Sequence, residues 1–264
     1  MKYFLFIIRQ LILYARFVIL AKNRRGHGIH SPFVYKFCRQ VLIKKVPDND
    51  AIEEVRRQQK RNYNKILFSD LGAGSLRQRQ SMRPIAHLAK HATNKKKNKF
   101  LFKLVQFIQP IQIIELGTSL GFSTMYMASA SPAVAVYTVE GVPQIAEIAS
   151  KTFQKLDFKN IQLIEGDFMD EFPALMKKYK NNTLTFIDGN HTCDATLYYF
   201  DLIMQQPLKE NVVVIDDIRW SKGMYTAWKK ILKHKRVSLS IDLYYLGIVF
   251  LDRNMAKQSV KFRF

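Results

Sequence analysis

Residues 113–124 read Ile-Ile-Glu-Leu-Gly-Thr-Ser-Leu-Gly-Phe-Ser-Thr, "IIELGTSLGFST". An apolar run ends in an acid, two glycines follow at 117 and 121, and "STMYMASA" at 123–130 opens a helix. Strand, tight loop and helix in this order bring the backbone close to a ligand beyond the carboxyl ends of a parallel sheet. About 25 residues on, "VYTVEG" ends a second strand with Glu140, where a carboxylate can accept from ribose hydroxyls.

The same rhythm continues to the end of the chain. "PQIAEIASKTFQKL" reads as a helix, "IQLIEG" as a strand, "EFPALMKKY" as a helix and "TLTFID" as a strand. "CDATLYYFDLIMQQ", "NVVVID" and "GMYTAWKKILK" repeat the alternation. Short β-rich runs alternating with helices predict a mostly parallel sheet covered on both faces. The last two runs, within "VSLSIDLYYLGIVFLDR" at 237–253, are separated by only a few residues and predict an antiparallel hairpin.

A second glycine-rich stretch, "DLGAGS" at 70–75, competes for the role of ligand loop. No acidic residue lies between Asp70 and Glu115, and Arg77, Arg79 and Arg83 crowd the segment after it. A turn that shapes the site from outside is the expectation there. The preceding "NKILFSD" reads as a short strand, 48–65 and 76–92 as polar or basic helices, and "NKKKNK" at 94–99 as a solvated turn.

"ELGTSLGFSTMYMA", "TVEG", "EGDF", "FIDGNH" and "VIDDIRW" follow one another at strand ends between about 100 and 251. Together they resemble class I S-adenosylmethionine-dependent O-methyltransferases of the catechol and caffeoyl-coenzyme A type. The "IDD" form is similar to the metal-dependent sugar O-methyltransferases. The resemblance implies an α/β, Rossmann-like, doubly wound and mostly parallel seven-stranded sheet with an antiparallel C-terminal hairpin. The expected organisation is a basic, mainly helical extension over 1–99 and a cofactor-binding domain over 100–264. It also implies that Glu115, Gly117, Ser119, Gly121 and Ser123 hold the methionine end of the cofactor. Glu140 is then the ribose ligand, Asp167 lies near the adenine, and Asp188 borders the cofactor.

Methyl transfer to oxygen requires a deprotonated nucleophile, and a hard cation can bind the hydroxyl and lower its pKa. Magnesium takes oxygen ligands. Asp188 ends one strand and Asp216 and Asp217 end the next, and strands about 4.8 Å apart allow the three to converge. The resemblance makes them the ligands of a magnesium or other divalent ion. His191 is the expected base, since Asn190 stands where the sugar-type enzymes carry an aspartate and cannot take a proton. The expected substrate is a small hydroxylated acceptor, a sugar or a phenol.

Composition bounds the alternatives. At 48% hydrophobic and 24% charged the 264 residues are ordinary for a globular chain. Cys38 and Cys193 form neither a disulfide framework nor a cysteine zinc site by themselves, and two reduced cytoplasmic thiols are expected. The formal charge of +21 is uneven: residues 1–112 hold 24 Lys and Arg against 5 Asp and Glu, a net +19. That imbalance keeps two further readings open, a nucleic-acid methyltransferase and a non-catalytic module held on membrane or RNA. The amino-directed enzymes' Pro-Pro motif is missing, and the intact acidic set argues against a degenerate module. Arg9 and Arg16 interrupt "MKYFLFIIRQLILYARFVILAK" near the middle, where charge makes a spanning helix costly. An amphipathic helix over 1–22, packed on the protein's own body or touching an anionic membrane face, is expected instead. Homo-oligomerisation is left open by the sequence.

Overall fold

The computed structural model describes residues 2–21, 28–69, 80–207 and 209–264. The stretch 70–75, with its expected outer turn, therefore lies outside the described residues. Helix α1 spans Lys2–Leu20, α2 Pro32–Phe37, α3 Asp50–Gln59, α4 Ile85–His91 and α5 Lys95–Ile108. A π-helical turn, Cys38–Ile43, continues α2. Strands β1, Lys65–Ser69, and β2, Gln80–Pro84, pair antiparallel as a separate ribbon. The rest alternates: β3 Gln112–Leu116, α6 Phe122–Ala130, β4 Ala135–Glu140, α7 Pro143–Lys155, β5 Ile161–Glu165, α8 Phe168–Met176, β6 Thr183–Ile187, α9 Cys193–Gln205, β7 Val212–Ile215 and α10 Lys222–Lys233. Strands β8 Val237–Asp242, β9 Gly247–Leu251 and β10 Gln258–Lys261 close the chain.

The large sheet has the order β10-β8-β9-β7-β6-β3-β4-β5. Only β9 runs against its neighbours, pairing antiparallel with both β7 and β8. The hairpin is thus as expected, and its returning strand inserts between β7 and β8. The sheet has eight strands where seven were expected. The eighth, β10, is a four-residue edge strand parallel to β8. The segment "QSVK" is too short and too polar to announce itself by alternation.

Successive residues of the central strands enter opposite cores, as a period of two demands. Val212 and Val214 join Phe100, Leu104, Val34, Phe37 and Val41 on one face. Val213 and Ile215 join Phe172, Tyr199, Phe200 and Trp228 on the other. The first face is therefore covered by α2, the π turn and α5, all drawn wholly or partly from residues before 100. The chain runs through 99 and 100 inside α5 without a break.

Two local readings are corrected. The segment "NKKKNK" is the capped first turn of α5, where the Asn94 side chain accepts from the Lys97 backbone N–H. The expected helix over 76–92 is, among its described residues, β2 followed by α4, which starts directly after Pro84. Proline at that point fixes an extended entry and lacks the donor a helix interior needs.

Candidate active site

The carboxyl ends of β3, β4, β6 and β7 lie side by side and are stitched by backbone bonds. Gly117 N–H donates to Val139 O at 3.0 Å, Asp188 N–H to Leu116 O at 2.9 Å and Asp216 N–H to Ile187 O at 2.9 Å. This edge collects the residues singled out from the strand-end motifs except Asp167, which follows β5. Gly117 has φ +106°, and a Cβ there would lie 2.3 Å from Asp188 O, so the β3 loop can approach β6 only as glycine. Gly121 has φ +78°, and its Cβ would strike the Phe153 ring at 2.4 Å. Ser119 lies between them with φ 50°.

The two glutamates of this edge are held differently. Glu115 is wholly buried and accepts from Ser123 Oγ at 2.6 Å, Thr138 Oγ1 at 2.7 Å and the Thr124 hydroxyl. Burial pushes its carboxyl up to about 7 despite these donors. Ser123 and Glu115 therefore bond each other inside the loop. Glu140 accepts from the Ser119 N–H at 2.8 Å and from the Val142 N–H at 3.0 Å. Burial raises its pKa against those backbone donors. It thus clamps the β3 loop to the end of β4, with a carboxylate at the place where ribose hydroxyls are expected. Asp167 is exposed and caps α8, accepting from Met169 N–H at 2.8 Å.

On the other side of β3, Asp188 and Asp216 meet at the ends of β6 and β7, with Asp217 beside them. Asp217 has φ 52° and Asn190 φ 46°, so both strand exits turn sharply. His191 Nε2 lies 3.8 Å from Asp188 Oδ1. Thr93 Oγ1 donates to Asp188 Oδ2 at 3.3 Å. The group nearest the centre is one that sequence reading placed in solvent. Lys97 Nζ donates to Asp216 Oδ2, its side chain is only 17% exposed, and the Asp216 side chain 3%.

The charges settle accordingly. Burial works against charging Asp216, but the Lys97 ammonium outweighs it and holds the acid below its usual value. Burial and then the Asp216 charge push Asp188 well up and Asp217 up. Burial also opposes the ammonium, yet Asp216, Asp188 and Asp217 together raise Lys97 above an ordinary lysine. Of the three aspartates expected to bind a divalent ion, Asp216 instead carries an ammonium, and the charges of Asp188 and Asp217 act on it. Among the described residues no group of three or more His, Cys, Asp or Glu side chains is arranged to hold a metal ion. The residues present do not fit magnesium as they lie, because the Lys97 ammonium stands on the Asp216 carboxylate and would repel a divalent ion brought to it.

One signal for Lys97 was present in the sequence. Positions 97, 101, 104 and 108 share one face of a helix, and the last three are buried leucines and isoleucine. A lysine on the apolar stripe of its helix is not solvated by default.

The fold and this edge define a Rossmann-like architecture, with a glycine loop and the buried Glu140 carboxylate on one side and an acid–histidine group on the other. Residues 114–218 match the model of a methyltransferase domain. The catechol O-methyltransferase of Mycobacterium tuberculosis is 29% identical over 135 residues, 50% of this chain and 60% of that protein. O-methyltransferase imqG of Aspergillus flavus is 27% identical over 111 residues, 40% of this chain and 44% of that protein. The matched stretch thus spans about half the length of these curated relatives. An O-methyltransferase from Bacillus cereus, solved in complex with SAH, superposes with a TM-score of 0.58 at 22% identity, covering 82% of this chain and 96% of that one. TomG of Streptomyces achromogenes, solved with SAM, gives 0.58 at 17% identity over 79% and 92%. The resemblance read from the strand-end motifs thus agrees with the sequence relatives, and the architecture with the solved folds.

Proposed function

We propose that the chain transfers a methyl group from S-adenosylmethionine to a hydroxyl oxygen of a small acceptor. The observation that carries this is the adjacency of two built half-sites on one sheet edge. Glu140 and the positive-φ loop at 117–121 lie at β3 and β4, and His191, Asp188 and Asp216 lie at β6 and β7. In the reaction the acceptor oxygen forms a bond to the methyl carbon while the carbon–sulfur bond breaks, its electron pair returning to sulfur. The hydroxyl proton passes to a base, and His191 is the titratable side chain next to Asp188 that can take it. Asp188 Oδ1, 3.8 Å from Nε2, then faces the imidazolium.

The test is transfer of an isotope-labelled methyl group to a panel of catechols, other phenols and sugars, beside calorimetric titration with S-adenosylmethionine. His191→Ala is expected to lower the rate by roughly 10²–10⁴-fold with cofactor affinity nearly unchanged. A chain that fails to bind S-adenosylmethionine would sink the activity, and a wild-type rate in His191→Ala would remove the histidine alone.

A second reading concerns the N-terminal helix. We propose that α1 holds the protein on an anionic membrane face. Its residues Phe6, Gln10, Phe17 and Ala21 turn toward the body: Gln10 Nε2 donates to Arg219 O at 3.0 Å, and the Phe17 ring lies 5.4 Å from Tyr244. The opposite face leaves Leu11 63%, Ile12 50% and Ile19 72% exposed. Among the described residues no helix is long and apolar enough to cross a membrane. Such a face, flanked by Arg9 and Arg16, suits the headgroup boundary. The full chain is expected to sediment with phosphatidylglycerol vesicles at low salt, and Leu11→Glu with Ile19→Glu to stay in the supernatant. Wild-type protein left in the supernatant would end this reading, and tight RNA binding with a steep salt slope would favour the nucleic-acid one.

A further inference from the structure

We propose that the Lys97 ammonium is the resident cation of the aspartate cluster, occupying the place of a divalent metal and supplying the positive charge that a developing acceptor oxyanion needs. This rests on the methyl-transfer reading for its catalytic meaning, but the occupancy of the site by lysine stands on geometry alone.

Four lysines crowd the start of α5, and three have other partners. Lys95 Nζ lies 2.5 Å from Asp48 Oδ2, Lys99 pairs with the same carboxylate, and Lys96 Nζ sits 4.4 Å from the Phe264 ring centroid. Lys97 alone turns inward to Asp216. A cation in the first turn of a helix opposes the helix dipole, so this placement is not explained by the helix. Asn94, which caps the Lys97 N–H, and Thr93, whose hydroxyl reaches Asp188, fix the segment that delivers the lysine. An ammonium carries three N–H donors and no acceptor. One donor is spent on Asp216. A divalent ion brought to the Asp216 carboxylate would meet the Lys97 ammonium at close range, and the two cations repel. Metal entry is therefore opposed while the lysine stays.

The charge suffices for the chemistry. In the transfer the acceptor oxygen gives up its proton to the base before or as the new carbon–oxygen bond forms. A fixed positive charge beside that oxygen favours the anion, as a metal would, without providing open coordination positions.

The test separates lysine from metal without needing the acceptor. Manganese binding is measured by electron paramagnetic resonance on the full chain, with thermal melts in manganese and in chelator. Wild-type protein is expected to bind manganese no better than millimolar and to melt at the same temperature in both. Lys97→Met is expected to bind manganese at least tenfold tighter and to gain thermal stability from it. Lys97→Arg keeps the charge and should remain metal-blind, Lys96→Met should behave as wild type, and Lys97→Gln replaces the methionine variant if that does not fold. Micromolar manganese binding by the wild type, or no gain in Lys97→Met, would overturn the proposal. Where an acceptor is found, wild-type turnover should survive chelator, and loss of turnover in chelator would count equally against it. Cofactor titration runs in parallel, so a failure of S-adenosylmethionine binding reports on the methyl-transfer reading and not on the lysine.

Discussion

Two buried cation–carboxylate pairs hang from the carboxyl edge of the same sheet, Arg219 with Asp242 and Lys97 with Asp216. The first is closed. Arg219 Nη1 and Nη2 donate to the two Asp242 oxygens at 2.7 and 2.5 Å, and Nη1 also donates to Tyr244 O at 2.9 Å. Rings of Phe17, Tyr225 and Tyr244 stand about the guanidinium at 5.1–5.2 Å. Both side chains are 6% exposed, and the pair locks the "DDIRW" loop to β8 and to α1. The second is open: a point charge among three acids and a histidine, not matched donor for acceptor. Arginine's planar fork suits a pair whose geometry is final, whereas lysine's compact ammonium suits a place where a ligand must also be met. The contrast teaches which buried charge is architecture and which is chemistry.

The sharpest way to break that comparison is Arg219→Ala. It strands Asp242 in the core and should cost about 3–5 kcal/mol of stability, read from denaturant unfolding, where Lys97→Met is expected to cost far less. Equal losses would erase the distinction.

The same contrast recurs in the two glutamates of the glycine loop. Glu115, enclosed by three hydroxyls, has its folded pKa raised to about 7, against about 4.3 in an unfolded chain. Between these values the folded state binds the extra proton, so stability should fall as pH rises from about 4.3 to 7 and level off above, by a few kcal/mol at most. Glu115→Gln should flatten that slope, and an unchanged slope would show the raised pKa to be wrong. Glu140, held only by backbone N–H groups, is the open member. Glu140→Ala should weaken S-adenosylmethionine binding by roughly 10–100-fold, the loss of charge-assisted bonds worth about 1.5–3 kcal/mol. Asp70→Ala should leave that affinity alone, and equal losses would reverse the choice of glycine loop.

Much of this was legible in the chain itself. Strand ends carrying Glu115, Glu140, Asp188 and Asp216 declared themselves because apolar β runs are short, regular and punctuated by acids that need a reason to be there. The succession of strands β3 to β9 along the chain followed from alternation with helices, whereas their order in the sheet did not. Lys97 was read as solvent because four lysines crowd residues 95–99, although its place on the apolar stripe with Leu101, Leu104 and Ile108 sets it apart from the others. Nor was the cover over one sheet face by Val34, Phe37 and Val41, since their segment has no counterpart in the motifs.

By itself, then, the sequence determined the parallel sheet, its edge of carboxylates and the loop that a cofactor approaches, because these depend on periodicity and on glycine's access to positive φ. Tertiary structure alone decided what meets those carboxylates. Asp188, Asp216 and Lys97 are separated by up to 119 residues and brought together only by packing α5 against the sheet. Whether three acids gather around a metal or around an ammonium depends on which cation the packed chain puts within reach, and local sequence carries no measure of that distance.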